Sequence, residues 1–179
     1  MKKNIILIGY MGAGKSTFGR ALARDLGREF HDLDAYIEAR FRKKVADIFD
    51  ERGEEGFRVM ERNMLHEVAE FDDAVIAVGG GTPCFFDNME YMNSRAETIY
   101  LHADTPTLIA HIHMGKQKRP LIDGMDDDEL REFIEKSMAE REKFYCMARH
   151  RVEVEVVTEQ RQIDKMTDKI KRLICVSGK

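Results

Sequence analysis

The chain is poor in several features that would mark particular classes of protein. Of its 179 residues only three are cysteines, Cys84, Cys146 and Cys175, an odd number without metal-ligand spacing. That excludes a disulfide framework and a thiolate metal site, and it points to reduced thiols in the cytoplasm. No apolar run approaches the length of a membrane span, so the reading is of no membrane association. The opening "MKKNIILIGYMG" pairs basic residues with an apolar stretch of only about five, and no small-residue cleavage site follows; it reads as a first strand, not a signal peptide. There is no linker rich in Pro, Gly or Ser, no repeat and no low-complexity segment, which leaves one domain over 1–179. An excess of positive charge is also missing. The net charge of -4 disfavours broad binding to nucleic acid, so any phosphate site must be local. What remains, 35% charged and 43% apolar residues, is the balance of a soluble globular protein.

Short runs rich in Ile, Val and Leu alternate with longer charged segments of helical period. "NIILIG", "REFHDLD", "DAVIAVGG", "ETIYLHA" and "RVEVEVV" read as strands. The alternation predicts an α/β fold with a mainly parallel sheet, helices on both faces, and ligands at the carboxyl ends of the strands. A mobile lid is expected over 113–126, where "MGKQKRPLIDGMDDD" interrupts two helical patterns with basic residues, Gly, Pro and acids.

The most specific local pattern is "GYMGAGKST", residues 9–17, which matches G-x-x-x-x-G-K-[ST] after a strand and before a helical run. Its glycines let backbone N–H groups converge on phosphate oxygens at a helix N-terminus. Gly12, Ala13, Gly14, Lys15, Ser16 and Thr17 are the candidate nucleotide contacts, with Lys15 on the β/γ-phosphates and Ser16 placed to ligate Mg²⁺. An ordinary glycine-rich turn would lack that combination of strand, helix and spacing.

Such a loop does not say what receives the phosphate. The chain holds no N-K-x-D guanine signature and is too small for a motor with coupled domains, so a small-molecule kinase fits best. "FHDLDAYIE" offers two carboxylates, and in an extended chain Asp32 and Asp34 would point to the same side. Phosphoryl transfer to a hydroxyl needs metal positioning and a group that orients or deprotonates the nucleophile. Asp32 suits the first duty and Asp34 the second, with metal charge relieving their repulsion. Spacing alone equally allows Asp34 to be the N-cap of the helix "AYIEARF" and Asp32 a surface charge.

"VGGGTP", residues 78–83, places three glycines directly after a strand, as expected where a ligand must approach the backbone closely; a flexible turn is the plainer alternative. Three arginines complete the candidates: Arg58, Arg119 and Arg141. Each would ordinarily be a solvated charge, but Arg119 precedes Pro120 and so lies in a loop, outside any helix interior.

In combination these motifs resemble the shikimate kinase family over nearly the whole chain. The order is "GYMGAGKSTFGR", "DLD", "FR" after "ERGEEG", "GGG", "RPLI", and "ER" with Tyr145 four residues on. The resemblance implies ATP-dependent phosphorylation of the 3-hydroxyl of shikimate, on the route to chorismate and the aromatic amino acids. It also implies the fold of nucleoside monophosphate kinases, with strand order 2-3-1-4-5 and a substrate-binding helical region over 34–62. By the same resemblance Asp34, Arg58, Gly80 and Arg141 bind shikimate, the arginines on its carboxylate and Asp34 on the reacting hydroxyl. Arg119 swings in with the lid to meet the transferring phosphate and the nucleotide, Ser16 and Asp32 serve Mg²⁺, and the enzyme is a monomer. The segment "LIAHIHMGKQKRPLI" departs from the family in having His111 and His113 where many members carry an arginine. The region "VTEQRQID" is expected to cover adenine, with Arg161 its candidate for base stacking. A gluconate kinase would share the P-loop and lid but not the paired "GGG" and "RPLI". A regulatory module without turnover would have no need of Asp34, Arg58 and Arg141.

Overall fold

The computed structural model describes residues 3–115 and 120–176. Five strands form one sheet: β1 (Asn4–Ile8), β2 (Glu29–Asp32), β3 (Ala74–Ala77), β4 (Ala96–His102) and β5 (His150–Glu153). All pair in parallel, in the order β2-β3-β1-β4-β5. The central strand β1, "NIILI", is buried at every position. A run without polar alternation is what a strand covered on both faces requires.

Helices supply the cover. They are α1 (Lys15–Leu26), α2 (Leu33–Phe41), α3 (Val45–Ala69), α4 (Asn88–Arg95), α5 (Thr105–Met114), α6 (Asp127–Tyr145) and α7 (Gln160–Val176). The helix α1 lies against β1, β2, β3 and α7, while α2 packs on α3 and α5 on α6. Buried Phe18, Leu22 and Ala23 of α1 and Met166 and Ile170 of α7 join the β-strand side chains in a single core. Two helix boundaries follow from local chemistry. Gly53 breaks α3 with φ 68° and ψ 177°, and the Asp126 carboxylate caps α6 through the N–H groups of Asp128 and Glu129 while Glu129 reaches back to the Asp126 N–H.

The strand expected over "RVEVEVV" is shorter than its apolar alternation suggests. It stops at Glu153 because its one partner, β4, stops opposite it at His102, and an edge strand has no second ladder to continue on. Val154 N still donates to the His102 carbonyl at 2.7 Å, and residues 155–159 then run as irregular chain on the way to α7. Among the described residues no helix is long and apolar enough to cross a membrane.

Candidate active site

Ala13 is fully buried, and Gly9, Gly12 and Gly14 all have positive φ, at 143°, 84° and 84°. The loop between β1 and α1 is thus drawn tightly over the sheet. At Gly9 the constraint is spatial as well as conformational, since a Cβ there would lie 2.6 Å from the Leu101 carbonyl oxygen. Gly14 occupies the N-cap position of α1 without a side-chain cap, which leaves the first N–H groups of the helix directed at the loop. Lys15 Nζ donates to the carbonyls of Gly9 (2.8 Å) and Tyr10 (3.0 Å), keeping its charge at the loop. Thr17 is exposed. With Ser16, Arg20, Ala21, Arg24, Gln160 and Ile163 it lines a cleft of about 460 Å³.

The two aspartates do not sit on one face of a strand. The sheet ends at Asp32 and α2 begins at Leu33, so Asp34 belongs to the first helical turn. The capping residue is Asp32, not Asp34: its Oδ1 accepts from Ala35 N at 3.3 Å. Its Oδ2 accepts from Ser16 Oγ at 2.7 Å. Asp32 is therefore neither a loose surface charge nor a strand neighbour of Asp34, and it joins the cap of α2 to the first residues of α1. The Ser16 hydroxyl and Asp32 carboxylate form an all-oxygen pair. Such a pair matches Mg²⁺, which usually binds through one or two protein oxygens together with phosphates and water.

Asp34 has its carboxyl pushed up to about 6, first by loss of hydration among the surrounding protein atoms and then by the charges of Asp32, Glu61 and Glu38, with Lys15 opposing. The residue is nevertheless exposed to water, which offsets part of that rise; the direction is upward.

The glycine run supplies the other wall. Gly79, Gly80 and Gly81 have no left-handed φ, so their requirement is space. A Cβ at Gly81 would lie 2.5 Å from Arg58 Nη2, one at Gly79 would meet Asp34 Oδ1 and Glu61 Oε1 at 3.1 Å, and one at Gly80 would meet Arg141 Nη1 at 3.7 Å. The same Gly80 position is 3.5 Å from the Gly9 carbonyl oxygen, which places the run beside the P-loop. Asp34, Arg58 and Arg141, far apart in sequence, thus converge on three adjacent backbone units. All three glycine carbonyls accept from protein donors: Gly79 from Thr82 N, Gly80 from Tyr145 Oη at 2.6 Å, and Gly81 from Cys84 N.

Arg58 Nη1 donates to Glu61 Oε2 at 2.8 Å and Nη2 to Glu54 Oε1 at 3.4 Å, and its guanidinium lies 4.2 Å from the Phe85 ring centroid. Its Nε is buried with no hydrogen-bond partner among the described residues. Arg141 is half-buried, 5.5 Å from the Tyr10 ring centroid. Glu61 has no place among the residues inferred from sequence, yet its side chain is only 1% exposed and its Oε1 accepts from Thr82 Oγ1 at 2.6 Å. The i, i+3 spacing of Arg58 and Glu61 was the one available signal. Arg119 and the centre of the lid segment lie outside the described residues. Of the two histidines before it, His113 pairs with Asp127 on the surface, whereas His111 reaches Gly12 of the P-loop.

A P-loop at the carboxyl end of the central strand, beside a glycine run on which two arginines and a perturbed carboxylate converge, defines a P-loop kinase of small molecules. The family model described as shikimate kinase matches residues 11–174. The chain is 49% identical over 168 residues to a shikimate kinase of Phocaeicola vulgatus, covering 94% of this chain and 96% of that protein. It is 48% identical to one of Bacteroides fragilis, covering 95% of each. Its fold superposes on the crystal structure of shikimate kinase from Bacteroides thetaiotaomicron with a TM-score of 0.94, 46% identity and coverage of 96% and 98%. Shikimate kinase from Acinetobacter baumannii in complex with shikimate gives 0.86, 31%, and coverage of 99% and 95%. The chain belongs to the shikimate kinase family.

Proposed function

We propose that this protein transfers the γ-phosphoryl group of ATP to the 3-hydroxyl of shikimate, giving shikimate 3-phosphate and ADP. The observation that carries this reading is the meeting of Asp34, Arg58 and Arg141 at Gly79–Gly81, directly beside the P-loop. A planar carboxylate is held best by guanidinium forks, which remain charged and give directional hydrogen bonds. Arg58, with one buried N–H still unpartnered, and Arg141 take the acid group of the substrate. Asp34 accepts the hydrogen bond of the reacting hydroxyl and, as transfer proceeds, its proton. The raised basicity of its carboxylate suits that duty better than an ordinary aspartate would.

On the nucleotide side, Gly12, Ala13, Gly14, Lys15, Ser16 and Thr17 hold the phosphates through backbone N–H groups, the Lys15 ammonium and hydroxyls. Ser16 and Asp32 would hold Mg²⁺, which when bound neutralises phosphate charge. The 113–126 segment acts as the lid and carries Arg119 to the nucleotide and the transferring group. Lid closure excludes water, a competing acceptor. The protein works as a cytoplasmic monomer.

The test is a coupled ADP-release assay with ATP and shikimate, then with ATP and gluconate. ADP release that depends on shikimate alone is expected. Dependence on gluconate, or on neither acid, would overturn the assignment.

A further inference from the structure

The irregular segment after β5 is tied to the P-loop by one side chain. His111 stands in the last turn of α5, where its Nδ1 lies 2.7 Å from the Gly12 carbonyl oxygen and its Nε2 lies 2.9 Å from the backbone N of Val157. A carbonyl can only accept and a backbone N–H can only donate, so both partners select the same neutral tautomer, with the proton on Nδ1 and the Nε2 lone pair facing Val157. The ring thereby joins residues 99 and 46 positions away in sequence. The close approach needs Gly12: a Cβ there would lie 3.1 Å from the Leu108 carbonyl oxygen and 3.3 Å from Ile112 Cγ1, so a larger residue would push α5 off the loop.

The segment is held from its other end by Gln162. That side chain accepts from Thr158 N (2.8 Å) and Glu159 N (2.9 Å) and donates to the Val156 carbonyl (3.0 Å). Just beyond it, Gln160 and Ile163 face Ser16 and Thr17 across the cleft of about 460 Å³. A nucleotide with its phosphates on the P-loop must extend its nucleoside past one wall of that loop, and the 156–159 segment is the stretch that His111 ties to it.

We propose that His111 is a positioning residue for the nucleoside. By clamping Val157 to the Gly12 carbonyl it fixes the 156–159 segment at one distance from the P-loop, and so sets the wall against which base and ribose rest. This inference rests on the kinase reading above for the identity of the ligand. It gives the pre-lid histidine a role different from that of a charged side chain in direct contact with nucleotide: a neutral ring that acts through backbone.

The experiment compares a ligand that has a nucleoside to place with one that is phosphate alone, each read as the change from wild-type protein to variant. ADP and inorganic tripolyphosphate are titrated calorimetrically into wild-type protein, His111→Phe, which keeps a ring but forms neither hydrogen bond, and His111→Gln, which keeps an amide able to donate or accept. For His111→Phe, ADP should bind about tenfold more weakly, the consequence of losing a backbone tether of ordinary hydrogen-bond strength, while tripolyphosphate and shikimate bind as before. His111→Gln should fall between. Unchanged ADP affinity would overturn the proposal, and so would equal weakening of ADP and tripolyphosphate, since the ring would then be shaping the P-loop itself. Should His111→Phe fail to fold, the ratio of ADP to tripolyphosphate affinity in His111→Gln decides: a lowered ratio supports the clamp and an unchanged one refutes it. Wild-type protein that binds both phosphate compounds but leaves shikimate unphosphorylated would refute the proposed function and not this one.

Discussion

Replacing Arg58 with lysine isolates the contribution of the guanidinium fork. Alanine would be a poor probe, because the Glu61 side chain, 1% exposed, would lose its 2.8 Å partner, and an uncompensated buried charge costs about 3–5 kcal/mol of stability. Lysine keeps a positive charge beside Glu61, so the fold should hold. What it cannot do is satisfy Glu61 and a substrate carboxylate together through fixed, coplanar N–H groups. In the structure Arg58 commits Nη1 to Glu61 and a longer contact from Nη2 to Glu54, and its buried Nε–H has no partner among the described residues. Loss of one charge-assisted bond to the acid is about 1.5–3 kcal/mol, or roughly 10- to 150-fold in the Kd for shikimate. ATP binding should be unaffected, since the P-loop contacts are made by other residues. Calorimetric titration of each ligand into Arg58→Lys, Arg141→Lys and the double variant checks this. Because both arginines address one small anion, the double variant should be non-additive. Unchanged shikimate affinity in both single variants would reduce these arginines to structural charges and refute the clamp.

Further outcomes follow from the same geometry. Lys15→Ala should nearly abolish phosphoryl transfer with no loss of fold, because the lysine acts on phosphate charge and not in the hydrophobic core; near-normal turnover would remove the loop from the mechanism. Asp34→Asn should lower kcat by roughly 10² to 10⁴, and loss of ATP affinity alone would show that its duty and that of Asp32 are misassigned. With its carboxyl near 6, Asp34 is neutral below that pH, so kcat/KM for shikimate should fall on the acid side of about 6, measured as a pH–rate profile. The sign for stability is opposite to that of a salt-bridged acid. A raised folded-state value means that ionisation costs stability, a cost absent below the ordinary carboxylate range and fully present above about 6. Asp34→Asn should therefore raise Tm at neutral pH and give no gain in acid; a gain at both would point to another cause. Gly81→Ala, whose Cβ would lie 2.5 Å from Arg58 Nη2, should displace the guanidinium and raise KM for shikimate by up to about 10², the scale of a 1 Å misplacement, with KM for ATP unchanged.

Some of this was legible in the sequence because it depends on local backbone geometry. The P-loop is a contiguous pattern whose glycines, lysine and serine have fixed spacing, and its glycines take the positive φ values of a tight turn before a helix. The strand order is a non-local property; the resemblance to shikimate kinases implied it, and alternating strands and helices alone did not. The relation of Asp32 to Asp34 was misread because it turns on where a strand ends. One residue of helix, Leu33, converts two side chains on one face into a cap and a cleft residue. Glu61 was invisible for a different reason. Most helix glutamates are solvated; Arg58 is its i, i+3 neighbour on the helix, but only the fold brings Thr82 to it and buries the pair. The length of β5 likewise depended on where its neighbour β4 ends.

The way the glycine run disposes of its carbonyls has a consequence for which molecules can stay beside it. The oxygens of Gly79, Gly80 and Gly81 are already bonded to Thr82, Tyr145 and Cys84, which leaves each with a single lone pair to offer, while charged side chains of opposite sign stand at the two ends of the run. A visitor is therefore sorted by hydrogen-bond polarity as well as by shape. Oxygen lone pairs of a carboxylate, hydroxyl or phosphoryl group meet Arg141 and Arg58 at Gly80 and Gly81, while a donor is received at the Gly79 end by Asp34 and Glu61. The two ends of the wall therefore differ in polarity, so a substitution at Arg58 or Arg141 would change how tightly an oxyacid binds, whereas one at Asp34 or Glu61 would change how a donor is received.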